Sequence, residues 1–230
     1  MPTALSLSRG YVCYGSTRIV DVDSFVVHEG SNVLVSGPNG SGKTSLFRAI
    51  GDLGAQFTGD TWLLGRNAQG LRSHSRIRIG LRFMPQDHSA FERLGANDHW
   101  KLAETMFQGK RSGSAPTLDL PSDVISWRKN NVPTGQLSRG QAKLLLLFSM
   151  FLSNPKLLLL DEPYAGFDEI KARHVASLIT RATESGAACI IADHTGLAVK
   201  QVQIAQEYRL QPPADSGGVF ALKRSVRGPS

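Results

Sequence analysis

The eight residues GPNGSGKT, Gly37 to Thr44, constrain this chain more than any other stretch. They match the pattern G-x-x-x-x-G-K-[ST] and lie between a strand-like run, SNVLVSG, and a run of helical texture, KTSLFRAI. The residue types follow from what an anion needs. Glycines let the backbone turn tightly so that successive N–H groups face one point, and the helix that follows contributes its positive end. Lys43 can reach outer phosphates, and the Thr44 hydroxyl can ligate Mg²⁺. The candidate nucleotide contacts are Gly37, Pro38, Asn39, Gly40, Ser41, Gly42, Lys43, Thr44 and Ser45. A strand–loop–helix unit of this kind requires an α/β fold.

The rest of the chain has the matching texture. ALSLSRGYVCYG and RIVDVDSFVVHEG read as strands punctuated by Gly10, Gly15 and Gly30. A helix opens at Lys43 and ends at Gly51 or Gly54, and further strands are expected at DTWLLG and IRIGLRFMP. From about 87 to 137 the pattern changes to a mostly helical insertion: NDHWKLAETMFQ, the loop GKRSGSAPTLDLP, then SDVISWRKN. Its Trp100, Phe107 and Trp127 are expected to form a small core. Then come a helix-length apolar run, AKLLLLFSMFL, and KLLLLDEP, which reads as a strand buried on both faces. A helix from Asp168 to Glu184 places Val175, Leu178, Ile179 and Ala182 on one face, and AACIIAD reads as another buried strand. Strands alternating with helices predict a mainly parallel sheet. Residues 1–211 form the expected domain; 212–230, rich in Pro, Gly and Ser, reads as a peripheral tail.

KLLLLDEP supplies what a phosphate loop requires. Asp161 falls at the carboxyl end of its strand, where open α/β sheets bind ligands and where a metal-holding carboxylate belongs. Glu162 follows directly, a second acid able to polarise a water at a terminal phosphate. Two adjacent acids at a buried strand end are costly without a cation nearby. Together the two motifs imply hydrolysis of a nucleoside triphosphate.

Composition narrows the remaining classes. The chain has 230 residues, 41% of them hydrophobic and 20% charged, enough to bury a core. Lys and Arg outnumber Asp and Glu by 26 to 19, a charge that suits an anionic partner, but no nucleic-acid-reading motif accompanies it and none is expected to bind. Between Arg66 and Arg82 lie five arginines and His74 without an acid, which reads first as a solvated face. Cys13 and Cys189, far apart in apolar surroundings, read as buried reduced thiols. No apolar run approaches the ~20 residues that span a bilayer, and the N-terminus lacks the pattern of a secretion signal.

LSRGQ, Leu137 to Gln141, separates this chain from other phosphate-loop ATPases. It resembles the Leu-Ser-Gly-Gly-Gln signature of the ABC-type ATPases, with Arg139 in place of the first glycine. The family's other elements follow in order over roughly residues 3 to 210. Tyr14 resembles the aromatic that stacks on adenine, and Gln86 in FMPQD the Q-loop glutamine. Asp168 in YAGFD resembles the D-loop aspartate, and His194 in ADHT the switch histidine. The fold implied is the ABC type of phosphate-loop NTPase: a parallel core, an antiparallel β subdomain and a small helical subdomain.

The resemblance also implies ATP and Mg²⁺, with Thr44, Gln86 and Asp161 around the metal, Glu162 as general base and His194 beside the γ-phosphate. In the family two such domains pack head to tail. Ser138, Gly140 and Gln141 would then face the nucleotide held by a second ATPase subunit, in a homodimer or heterodimer. Transmembrane permease subunits are the implied partners, and the stretch from Arg66 to Arg82 lies near the face turned toward them. The chain would sit in the cytoplasm on the inner face of the cell membrane. The alternative is a soluble member such as an iron–sulfur cluster assembly ATPase.

Overall fold

Two five-residue strands with no exposed position set the architecture, and alternate side chains along them feed two separate cores. The computed structural model describes residues 1–86, 93–107, 120–212 and 218–225. In chain order, β1 (Thr3–Tyr14) and β2 (Thr17–His28) form a long hairpin, followed by β3 (Asn32–Ser36) and α1 (Lys43–Gly51). Next come β4 (Gln56–Phe57), β5 (Asp60–Leu63), β6 (Arg66–Asn67), α2 (Ser73–Ile79) and β7 (Leu81–Met84). The helical insertion contains α3 (Ala96–Phe107) and α4 (Ser122–Lys129). Then follow α5 (Arg139–Leu152), β8 (Leu157–Asp161), α6 (Glu169–Glu184), β9 (Ala188–Ala192), α7 (Leu197–Gln201), β10 (Gln206–Gln211) and β11 (Phe220–Ser225).

The strands make one sheet in the order β6-β5-β1-β2-β11-β10-β3-β9-β8-β7, with β4 beside β1. From β10 through β7 every neighbour is parallel, while β1 pairs antiparallel with β2, β4 and β5. The period of two along a strand sorts the core. Val33, Val35, Leu157, Leu159 and Ile190 pack with Leu46, Phe47 and Ile50 of α1 on one face. Leu34, Leu158, Leu160 and Ile191 pack with α5 and α6 on the other. The apolar α5 is thus enclosed, with the sheet on one side and α3 and α6 against it. Trp100 is buried in the inserted subdomain, with the Arg128 guanidinium 3.9 Å from its ring centroid. The Phe107 side chain and residues 108–119, in which most of the expected loop lies, fall outside the described residues.

Three expectations are corrected. The run IRIGLRFMP is not one strand: Ser73–Ile79 is helical, Gly80 closes the helix at φ 119°, and β7 begins at Leu81. Its Arg/Ile alternation imitates a strand, but Arg76 turns inward and donates to the carbonyls of Ala49, Ile50, Ala68 and Leu71. The basic stretch is therefore only partly a solvated face. Arg76 and Arg82 are buried, and burial pulls the Arg82 pKa down to about 10. The segment beyond residue 212 is not wholly peripheral either. Phe220–Ser225 lies inside the sheet, antiparallel to β10 and parallel to β2, and buries Leu222. Without it those two strands would both present unpaired backbone.

Candidate functional site

The loop from Gly37 to Gly42 joins the carboxyl end of β3 to the start of α1, and its geometry requires the glycines at two points. Gly42 has φ 98°, and a Cβ there would stand 2.4 Å from Val20 Cγ2. Gly37 has φ 153°, and its Cβ would stand 2.8 Å from Ser41 Oγ. The loop closes on itself through the Ser41 N–H donating to the Pro38 carbonyl. Lys43 Nζ bends back to donate to the carbonyls of Gly37 (2.8 Å) and Pro38 (2.9 Å), which leaves one of its three donors over. Burial lowers the Lys43 pKa, while Glu162, Asp161 and Asp193 pull it back up. The Ser41 hydroxyl is fully buried and has no hydrogen-bond partner. Pro38, Asn39 and Gly40 are exposed, and Thr44 and Ser45 begin the helix half-buried.

Two strands away, β8 delivers its acids to the same end of the sheet. Thr44 Oγ1 donates to Asp161 Oδ2 at 2.6 Å, joining loop and strand. Burial pushes the Asp161 pKa up; the Thr44 hydrogen bond works against this, and the neighbouring Glu162 charge adds to it. Glu162 is buried, and both its carboxylate oxygens are engaged. His194 Nδ1 lies 2.6 Å from Oε1, and Gln86 Nε2 donates to Oε2 at 2.9 Å. These groups arrive from the ends of β7, β8 and β9, so parallel register alone brings them together. Glu162 also holds φ 50°, a left-handed conformation uncommon for a residue with a side chain.

The remaining residues singled out in the sequence lie elsewhere. Tyr14 is at the exposed end of β1. Ser138 caps α5 in a reciprocal box: its hydroxyl accepts from the Gln141 N–H, and Gln141 Oε1 accepts from the Ser138 N–H. Asp168 caps α6 and pairs with Lys171. Gly140 packs loosely, since a Cβ there would find only ordinary contacts of 3.7 to 3.9 Å, to Gly166 and Phe167. Ser138 and Arg139 are exposed and Gly140 and Gln141 half-buried, and nothing within this chain requires a glycine at 140.

Two residues near the site were not among those candidates. Asp193 is buried and accepts from the Thr195 N–H and hydroxyl and from the Ala198 N–H, fixing the turn that carries His194. Burial pushes its pKa up, but those hydrogen bonds outweigh it and hold the carboxyl below its ordinary range. The signal was present, because an acid just before a short helix is a capping pattern. Lys143, the one charge in α5 beyond Arg139 at its first position, is also buried. Its Nζ donates to the Glu162 carbonyl at 2.5 Å and the Ala165 carbonyl at 3.1 Å, and burial pulls its pKa down to about 8.

A phosphate loop, an acid pair at the end of a buried strand two places along the sheet and a histidine against the second acid define a phosphate-loop nucleoside triphosphatase. Comparison with known proteins narrows this. Residues 20–165 match the family described as ABC transporter. An uncharacterized ABC transporter ATP-binding protein of Rhizobium meliloti is 30% identical over 190 residues, which covers 82% of this chain and 70% of that protein. The lipopolysaccharide export system ATP-binding protein LptB of Haemophilus influenzae is 30% identical over 197 residues, 84% of this chain and 79% of its own length. A solved structure of the ATP-binding subunit of an ABC transporter has the same fold, with a TM-score of 0.75 at 20% identity over 90% of this chain and 85% of that one. The chain belongs to the ABC transporter family, as an ATP-binding subunit and an ATPase.

Proposed function

We propose that the site at the carboxyl ends of β3, β7, β8 and β9 hydrolyses ATP with Glu162 as general base. The observation that carries this is the joint placement of Gln86 and His194 on the two oxygens of one buried carboxylate, next to Asp161. Lys43 and the loop N–H groups of residues 37 to 45 hold the phosphates, the unpartnered Ser41 hydroxyl faces the same loop, and Tyr14 stacks on adenine. A carboxylate retains acceptor capacity beyond two hydrogen bonds, so Glu162 can also take a proton from water. His194 orients that water and the γ-phosphate.

The donor set fits Mg²⁺. Asp161 Oδ2 and Thr44 Oγ1 are hard oxygens 2.6 Å apart, to which Gln86 would add its amide oxygen, and Asp161 sits where its charge is poorly solvated. Among the described residues no group of three or more His, Cys, Asp or Glu could hold a metal unaided, which suits an ion completed by phosphate oxygens. When bound, Mg²⁺ would neutralise charge developing on the phosphates.

The working unit is a head-to-tail pair of ATPase subunits, with Ser138, Gly140 and Gln141 of each donating to the nucleotide of the other and Asp168 lying at the shared face. The exposure of Ser138 and Arg139, and a glycine at 140 that the chain's own packing does not require, support this. Transmembrane permease subunits are the partners, and the chain sits on the cytoplasmic face of their membrane. Among the described residues no helix is long and apolar enough to cross a membrane. An apolar cavity of about 190 Å³ beside the edge strand β7, lined by Leu53, Ile77, Leu81, Phe83 and Met150, lies within the face assigned to that partner.

Glu162→Gln tests the catalytic reading. Turnover is expected to vanish while an ATP-bound dimer accumulates in sedimentation; rapid turnover would remove Glu162 as the base. Affinity capture from native membranes is expected to recover a polytopic partner. Recovery of soluble partners alone would move the assignment to the soluble assembly ATPases.

A further inference from the structure

Lys143 lies one turn beyond the cap of α5 and is only 5% exposed. Each residue from Leu144 to Leu152 is uncharged, and a methionine would fill much the same volume without burying a cation. What the ammonium does is specific. It donates to two carbonyls, those of Glu162 and Ala165, and it lies 5.1 Å from the centre of the Phe167 ring. All three belong to the turn between β8 and α6.

That turn carries the left-handed Glu162 backbone. The Glu162 N–H is anchored to the Ala192 carbonyl and its own carbonyl accepts from the Ala165 N–H, at 3.2 Å a long bond. The short charge-assisted bond from Lys143 is the stronger hold on that carbonyl. Rotation of the Glu162 backbone out of this conformation would swing its side chain away from His194 and Gln86. The other end of the same contact is the start of α5. Gly140 lies beside Gly166 and Phe167, where an added Cβ would come within 3.7 to 3.9 Å, so the first turn of α5 borders the turn after Glu162, and Lys143 ties the two together.

We propose that Lys143 is a positioning residue for Glu162, clamping the turn from Glu162 to Phe167 against the first turns of α5. The clamp rests on the reading of Glu162 as the base. It links the start of α5, offered to a second subunit, with the base in the same chain. Lys143 touches none of the phosphate-loop residues through its hydrogen bonds, so its loss should spare ATP binding and impair turnover. Displacement of a reacting group by about 1 Å costs roughly a hundredfold in rate.

The test is steady-state ATPase activity and equilibrium ATP binding by the full chain carrying Lys143→Met, with its melting temperature as a control. The expected result is a kcat at least ten-fold below the parent, an ATP affinity within about two-fold, and a melting temperature within a few degrees. A folded variant with parental kcat overturns the proposal, and so does one whose ATP affinity falls while kcat holds. If Lys143→Met does not fold, Lys143→Gln, which keeps one amide donor for the turn, decides by the same criteria. Glu162→Gln, assayed in parallel, separates the two readings. Turnover in that variant defeats the assignment of the base, whereas an inactive Glu162→Gln beside a fully active Lys143→Met defeats the clamp alone.

Discussion

Gly140→Ala separates what the fold needs at the start of α5 from what a second subunit needs. Within the chain the added methyl group meets the Gly166 carbonyl at 3.7 Å and Phe167 at 3.8 and 3.9 Å, all ordinary contacts. Replacing a helical glycine by alanine is worth roughly 0.5–1 kcal/mol in a helix interior, and about half that so near the end. In a chain of this size 1 kcal/mol shifts the melting temperature by about 2–4 °C, so a rise of about 1 °C is expected. Across the proposed interface the effect reverses. A hydrogen-bonded phosphate oxygen sits about 2.9 Å from a backbone nitrogen, closer than a methyl carbon tolerates at about 3.5 Å. Losing one charge-assisted hydrogen bond, worth about 1.5–3 kcal/mol, lowers turnover roughly ten- to a hundredfold. Calorimetry and ATPase assays across a range of protein concentration read the two effects separately. Parental turnover in a variant that melts normally would show that nothing approaches this surface. A fall of several degrees in melting temperature would refute the reasoning, because the added methyl group would then clash within the chain.

Other substitutions test the site from within. Gly42→Ala places a Cβ 2.4 Å from Val20 Cγ2 at φ 98° and should cost about 2 kcal/mol or more in a urea unfolding curve, with ATP binding lost. Asp193→Ala strands the Thr195 and Ala198 N–H groups and should cost about 1–2 kcal/mol at pH 7, with turnover reduced through His194. Because the folded Asp193 pKa is depressed, its stabilisation is complete above the ordinary carboxylate value near 3.9, as in an unfolded chain. The gap between parent and variant should therefore close only as pH falls below about 4. Lys143 behaves oppositely. Its pKa of about 8 lies below the ordinary 10.5, so the penalty of burying the cation is full below pH 8 and is relieved as pH rises toward 10.5. Across that window the parent should gain up to about 3 kcal/mol on Lys143→Met in paired unfolding curves.

Much of this molecule was legible from its sequence where one physical requirement dominates a stretch. A loop that turns on Gly37 and Gly42 must sit between a strand and a helix, and LLLLDEP has no solvent-facing position to spare. The runs that became β1, β2, β8, α5, α6 and β9 were readable for the same reason. What failed were stretches whose role depends on distant partners. The alternation of Arg76–Ile79 carries a strand's period, but the carbonyls that receive Arg76 come from α1 and the loop after β6. FALKRS, set among Pro, Gly and Ser, becomes a strand only because β2 and β10 each offer it an edge. At the site, residue types and position pointed to Asp161 and Glu162, and the family resemblance to His194. Lys143 and Asp193 act by holding backbone, and nothing in a side chain's identity says which carbonyl or N–H it will meet.

The place of β11 has a consequence for how such a chain is made. Residues near position 222 lie between β2 and β10, and through them the antiparallel half of the sheet joins the parallel half. During synthesis the phosphate loop and both acids leave the ribosome long before this strand exists. Until it arrives, the growing chain carries two bare strand edges and a sheet in two pieces. The strand that closes the seam emerges after every other described strand, so truncations before residue 220 should aggregate instead of yielding a smaller working enzyme.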